Sequence, residues 1–196
     1  MRNFTRNIFV LIIMVSITGC ASTQTYIYNT GKNVTICETD NTDLGKTAVL
    51  LETAWRIDQK EPLLRQQMAL EETKKAFINF PCGTIVSPDD IKKYNFSTIT
   101  DEAILKNFSK QGIDSLVILR IEELTPRLEF TFSIPFLWNG SNEADFRIKV
   151  VSVKTGLIHT DMRVKRITGG PFNIRPAEWS RAELNASLRS IIKKDY

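Results

Sequence analysis

Glu122, Glu123 and Glu129 are the nearest this 196-residue chain comes to a pair of catalytic carboxylates. Glycoside hydrolysis holds two such groups several ångströms apart across a cleft. Here they flank a strand-to-strand connection, where charged side chains ordinarily face water, and no enzymatic role is expected of them. His159 is the single histidine. It alternates outward on a strand beside Asp161 and has no Ser or Cys partner by spacing, so a nucleophile-base relay has no members. One histidine also makes a His-rich zinc site hard to build. Gly45-Lys46-Thr47 supplies the last three residues of a phosphate-loop signature, but Asp40 stands where that signature requires glycine. A strand follows it instead of a helix, so a turn is expected. No metal and no cofactor is expected.

The cysteines carry more information. Arg2 and Arg6 precede an apolar run, Ile8 to Ile17, that ends in Ile17-Thr18-Gly19-Cys20. The run is too short to span the roughly 20 apolar residues of a membrane helix and has the flanks of a secretory signal. The four residues at its end resemble the lipid-attachment signature of bacterial lipoproteins: an aliphatic residue, two small or uncharged residues, then the cysteine. The resemblance implies that residues 1–19 are removed and that Cys20 becomes the acylated first residue. Ala21 and Ser22 follow, without the Asp that retains many such proteins on the inner membrane. The implied location is the periplasmic face of the outer membrane, lipid-anchored and without a transmembrane helix. Several acyl chains hold a protein stably, where one does so only marginally.

Cys37 and Cys82 then remain as a pair, which an oxidising compartment favours as a disulfide. Two unpaired buried thiols are the alternative. A catalytic dithiol is not expected without a Cys-x-x-Cys spacing.

The formal charge of +4 and pI near 9.0 raise the question of nucleic acid, which an exported protein does not meet. Divided by position, the charge is a dipole. Residues 21–146 hold 13 Lys+Arg against 18 Asp+Glu, and residues 147–196 hold 11 against 4. Arg147, Lys149, Arg163 and Lys165 fall on neighbouring outward positions of one hairpin, joined by Arg166 and Arg175. Such a face fits an anionic partner, either an acidic protein surface, phosphate-bearing lipid or the peptide stems of peptidoglycan. Alternatively it pairs with the molecule's own acids, Glu129 among them. A second candidate surface is Phe136-Leu137-Trp138, which approaches the turn Asn139-Gly140-Ser141-Asn142. Apolar residues at a loop tip fit a protein contact or a membrane contact; folding back onto the domain is the competing possibility.

The elements that must position these residues follow from periodicity. A strand is expected near Thr47–Trp55 and a helix from Glu61-Pro62 to about Phe80. A short strand is expected at Cys82–Val86 and a helix from about Thr100 to Gly112. Ser115–Glu123 has a continuous apolar centre, the mark of a strand covered on both faces. Alternating strands follow around Leu128–Ile134, Phe146–Val150 and Ile158–Lys165, then a helix from Pro176. The expected fold is α+β in two layers: a mixed sheet of about five to six strands with helices packed on one face, in the order β-α-β-α-β-β-β-α. Residues 20–44 are expected to be a lipidated tether and residues 45–196 a single periplasmic domain.

Gly112-Ile113-Asp114, the core strand after it, and Phe146-Arg-Ile-Lys-Val-Val-Ser-Val-Lys-Thr-Gly together resemble one group of periplasmic α/β domains. The group comprises the CsgG-like curli-secretion lipoproteins, the lipoprotein activators of peptidoglycan synthases and the TolB amino-terminal domain. The aromatic stretch Phe130–Asn139 departs from that pattern, and no functional residue carries over. The function expected is a non-enzymatic binding or accessory factor in envelope assembly or secretion, bound to outer-membrane lipid through Cys20 and to another envelope protein or peptidoglycan. An immunity or inhibitor lipoprotein against a periplasm-acting toxin or hydrolase is the first rival, and a small envelope hydrolase the second.

Overall fold

The computed structural model describes residues 22–29, 35–37, 43–57, 59–86, 96–131, 137–171 and 178–192. Its strands are β1 (Ser22–Asn29), β2 (Lys46–Thr53), β3 (Thr84–Val86), β4 (Ser115–Thr131), β5 (Leu137–Ser152) and β6 (Ile158–Pro171). Its helices are α1 (Pro62–Phe77), α2 (Glu102–Lys110) and α3 (Glu178–Ile192). The strands form one six-stranded mixed sheet in the order β1-β6-β5-β4-β2-β3. β2 runs parallel to β3 and β4, and the remaining pairs are antiparallel. The α+β class is as the periodicity predicts, and so is the order of elements from β2 onward; β1 precedes them, and the strands expected at 115–123 and around 128–134 are continuous in β4.

β4 is buried on both faces because its side chains alternate between two cores. Val117, Leu119 and Ile121 join α1 and α3, with Met68, Phe77, Leu184 and Leu188 on that side. Leu116 and Ile118 point the other way, against Leu105 and Phe108 of α2 together with Phe96 and Ile99. One helix therefore sits across the sheet from the other two, where all were expected on one face. The physical reason lies in β4 itself: a strand with apolar residues at successive positions must be covered twice.

Local chemistry sets the ends of the elements. Pro62 opens α1, where its missing N–H costs nothing. Glu102 stands in the first turn of α2, and Gly112 ends that helix at a φ of +70°. Gly45 is also left-handed, at +62°, and the Asp114 side chain occupies the space where a Cβ would stand. Asp114 Oδ2 accepts the Lys46 backbone N–H at 2.8 Å, which locks the entry to β2. Gly45-Lys46-Thr47 is thus a turn into a strand.

The stretch expected as a tether is largely built into the domain. Ser22–Asn29 pairs along β6 with Ser22 opposite Gly169 and Asn29 opposite Met162. Further on, the backbone N–H groups of Ile36 and Cys37 donate to the carbonyls of Ile191 and Ile192 at 2.7 and 3.0 Å. These carbonyls at the end of α3 have no partner within the helix, so the incoming segment satisfies them. Cys37 is joined to Cys82 by a disulfide with a Cα–Cα distance of 5.7 Å. Among the described residues, no helix is long and apolar enough to cross a membrane.

Candidate functional site

The four cations expected to form a contact face, Arg147, Lys149, Arg163 and Lys165, do lie on one side of β5 and β6. They share the sheet face that holds α2, beyond the ground that helix covers. They are not free, however. Arg163 makes a two-pronged contact with Asp145, Nε at 2.9 Å and Nη2 at 2.7 Å. Glu122 lies 3.5 Å from Arg147 and 3.3 Å from Arg163. Lys165 pairs with Glu143 at 2.7 Å and Lys149 with Asp161 at 3.9 Å. Lys149 also lies 4.4 Å from the centre of the Phe96 ring, a cation-π contact that draws it inward.

Arg120, on β4, extends the row towards Glu52 at 3.7 Å. The Asp145 hydrogen bonds raise the Arg163 guanidinium above its ordinary range, the Asp145 and Glu122 charges adding to them. The basic end of the charge dipole is therefore largely neutralised by acids on neighbouring strands. Sequence distance concealed this, because Glu122, Glu143 and Asp145 belong to the acidic part of the chain.

A cleft of about 530 Å³ opens on this face, lined by Tyr28, Arg147, Asp161, Met162, Arg163 and Lys165. Its walls carry both signs of charge, so it presents no concentrated positive field to an anion.

Glu122 and Glu123 do not form an acid/base pair over an open site. They straddle a bulge in β4, where register shifts between Ile121 and Glu123. Glu122 is held by the arginines already named. Glu123 is buried and accepts hydrogen bonds from Gln59 and Thr125, with Arg56 3.4 Å away. Arg65 joins this cluster through Thr125, and burial pushes its guanidinium below the ordinary range. His159 is exposed, as its outward alternation predicts. Leu137 and Trp138 open β5 opposite Thr131 and Phe130. Cys20, Phe136 and Arg175 lie outside the described residues, as does the side chain of Glu129.

The site that sequence reasoning missed is apolar. A groove of about 330 Å³ runs between α1 and the β2–β3 edge, with Val49, Leu51, Leu70, Phe77, Ile78 and Ile85 among its lining. Leu70 was expected in the core from its helical spacing. It is 43% exposed, and Ile78 is 77% exposed. β3 pairs with β2 only over Lys46–Ala48. Among the described residues, no strand pairs with Val49–Thr53 on the side away from β4. That stretch of β2 lies next to the apolar trough, and residues 87–95, which follow β3, are outside the described residues. The available signal was the surplus of apolar residues on α1, since Leu63, Leu64 and Leu70 exceed what one buried stripe needs.

No family model matches the chain, and no curated protein matches it. The solved structures that resemble it include bacterial lipoproteins. The PelC dodecamer from Paraburkholderia phytofirmans aligns over 88% of this chain and 100% of its own, at 8% identity and a TM-score of 0.47. Lipoprotein GNA1162 from Neisseria meningitidis covers 75% of this chain and 96% of its own, at 10% identity and a TM-score of 0.43. A minor lipoprotein from Acinetobacter baumannii covers 75% and 88%, at 11% identity and a TM-score of 0.36. All three are too distant to assign a role to any residue here.

Proposed function

We propose that the chain is an envelope lipoprotein, anchored through acylated Cys20 at the periplasmic face of the outer membrane, that works by holding an extended apolar segment of another envelope protein. The observation that carries this reading is the groove beside Val49–Thr53. A strand edge without a partner among the described residues offers hydrogen bonds to an extended peptide, and a trough beside it accepts alternate side chains. That combination serves binding, so the reading is an accessory factor in envelope assembly or secretion and not an enzyme. The self-neutralised cations weigh against the anionic stems of peptidoglycan as the principal ligand.

Site-specific photo-crosslinking in cells tests it. A photoreactive residue at Leu70 or Ile78 should yield one discrete adduct with an envelope protein. The same residue at exposed Leu157 should not, and Leu70→Asp combined with the Ile78 probe should abolish the adduct. A groove that crosslinks nothing, in a chain that fractionates with the membrane, would refute the reading.

A further inference from the structure

β1 is an outer strand of the sheet, and its residues leave that edge unguarded. Edge strands ordinarily carry Lys, Pro or a bulge that keeps other chains from pairing with them. Ser22–Asn29 has no charged residue, no proline and an unbroken register along β6. Among the described residues, no strand pairs with β1 on the side away from β6. Residues 22–28 are all exposed, Tyr26 by 42%, Ile27 by 39% and Tyr28 by 59%.

The edge is nevertheless held in shape. On one face Thr23 Oγ1 lies 3.0 Å from Thr168 Oγ1, and Arg166 Nη1 donates to Thr25 Oγ1 at 3.2 Å. Arg166 and Thr168 both donate to the Glu183 carboxylate of α3, at 2.8 and 2.7 Å. A strand fixed beforehand loses little freedom when it pairs. On the other face stand Gln24, Tyr26 and Tyr28. Tyr26 Oη donates to Gln24 Oε1 at 2.6 Å, which leaves the Gln24 amide N–H groups without a partner among the described residues.

We infer that β1 is a dimer edge, on which β1 of a second copy of this chain pairs antiparallel about a two-fold axis at Tyr26. That register sets Tyr26 opposite the partner's Tyr26, Gln24 opposite the partner's Tyr28 and Thr25 opposite the partner's Ile27. The Gln24 amide then meets a tyrosine hydroxyl, an aromatic pair forms on the axis, and β-branched residues meet on the other face. The Gln24 and Thr25 contacts each occur twice by symmetry. No like charges come opposite one another within the strand pair, because β1 carries none. This self-match favours a second copy over an unrelated peptide. β2, which borders the groove, lies four places along the sheet from β1, so both grooves stay clear of the pairing.

Pairing through one strand makes a small interface whose partners exchange, and a covalent trap reads it. Thr25→Cys, Tyr26→Cys and Ile27→Cys are made singly in the full-length chain, and cells producing each are mildly oxidised, with the parent as background. Tyr26→Cys should give a reducible dimer at several times the yield of the other two. Only a residue on the axis meets its own copy, at a Cα–Cα separation of about 4.5–5.5 Å that a disulfide spans. Thr25→Cys and Ile27→Cys combined in one chain should restore the yield. Adding Tyr26→Lys to that combination places two like charges on the axis and should abolish it. All the variants should melt as the parent does, since these side chains are exposed. A maximum at Thr25 or Ile27, equal yields at all three positions, no dimer at any, or an adduct with a different protein overturns the inference.

Discussion

Arg147 and Arg163 stand directly opposite each other on adjacent antiparallel strands, two like charges in one register position. Such a pair is destabilising unless something lies between them. Glu122 does, 3.5 Å from one and 3.3 Å from the other, and it reaches them because it continues the alternation of Leu116, Ile118 and Arg120 on that face of β4. Replacing it exposes the repulsion. Glu122→Gln should lower stability by about 1 kcal/mol, discounted for the half-exposed arginines. Chemical denaturation should show the loss shrinking as salt is added, and a salt-independent loss would contradict the electrostatic account. Removing Arg147 as well, as Arg147→Ala in the Glu122→Gln background, should recover part of it.

Asp145 is the more costly acid to lose. It is buried and holds Arg163 through two hydrogen bonds. Asp145→Ala should destabilise the domain by roughly 2–3 kcal/mol, because Arg163 on the inner strand β6 loses both hydrogen bonds of its buried partner. A melting temperature within a degree of the parent would show that Glu122, 3.3 Å from Arg163, suffices to hold it.

The two-sided sheet makes a separate prediction. Phe108 is fully buried on the α2 side, so Phe108→Ala should cost about 3–5 kcal/mol. Amide exchange should accelerate first in α2 and only later in α1 and α3, which pack on the opposite face. Uniform acceleration would mean that the two cores unfold as one.

Reduction of Cys37–Cys82 reopens a loop of 45 residues. The chain-entropy relation assigns such a loop about 4 kcal/mol as an upper figure. Cys37→Ser with Cys82→Ser should therefore melt well below the oxidised parent. Ile36 and Cys37 would also lose their hold on the end of α3, and limited proteolysis should cut first near them. Equal protease resistance in both forms would place the hold in the hydrogen bonds alone.

Acid titration probes the contact between α1 and α3. The Glu71 carboxyl is held below the usual carboxylate range by the Gln67 hydrogen bond and then by Arg181. A carboxylate lowered on folding contributes stability above its unfolded value, near 4.3, and loses it as pH falls through the folded one. Carboxyl-carbon NMR should place the Glu71 midpoint below that of the unfolded chain. Gln67→Ala should move it upward, and an unmoved midpoint would remove Gln67 as the cause.

Much of the architecture was legible before folding was considered, because it is written in short-range pattern. Helical spacing placed α1, α2 and α3 to within a turn or so, and Leu184, Leu188 and Ile191 proved fully buried. Alternation placed Met162 and Val164 inward with Arg163 and Lys165 on the other side. The doubly apolar run of β4 announced a strand covered twice, and the expectation of export made Cys37 and Cys82 a candidate bridge, which the structure contains.

What the local pattern could not carry were relations between distant segments. Ser22–Asn29 has the composition of a linker, and only pairing with β6 makes it a strand, since its backbone groups find partners over 130 residues away. The basic hairpin was visible as a run of cations. Its neutralisation depends on register, which sets Glu122, Glu143 and Asp145 beside them. The groove lies between α1 and the β2–β3 edge, a meeting of distant segments that no periodicity records. Side-chain type and spacing determined which faces are apolar and which charged. Strand order and register decided which charges meet and how the helices divide between the two faces of the sheet.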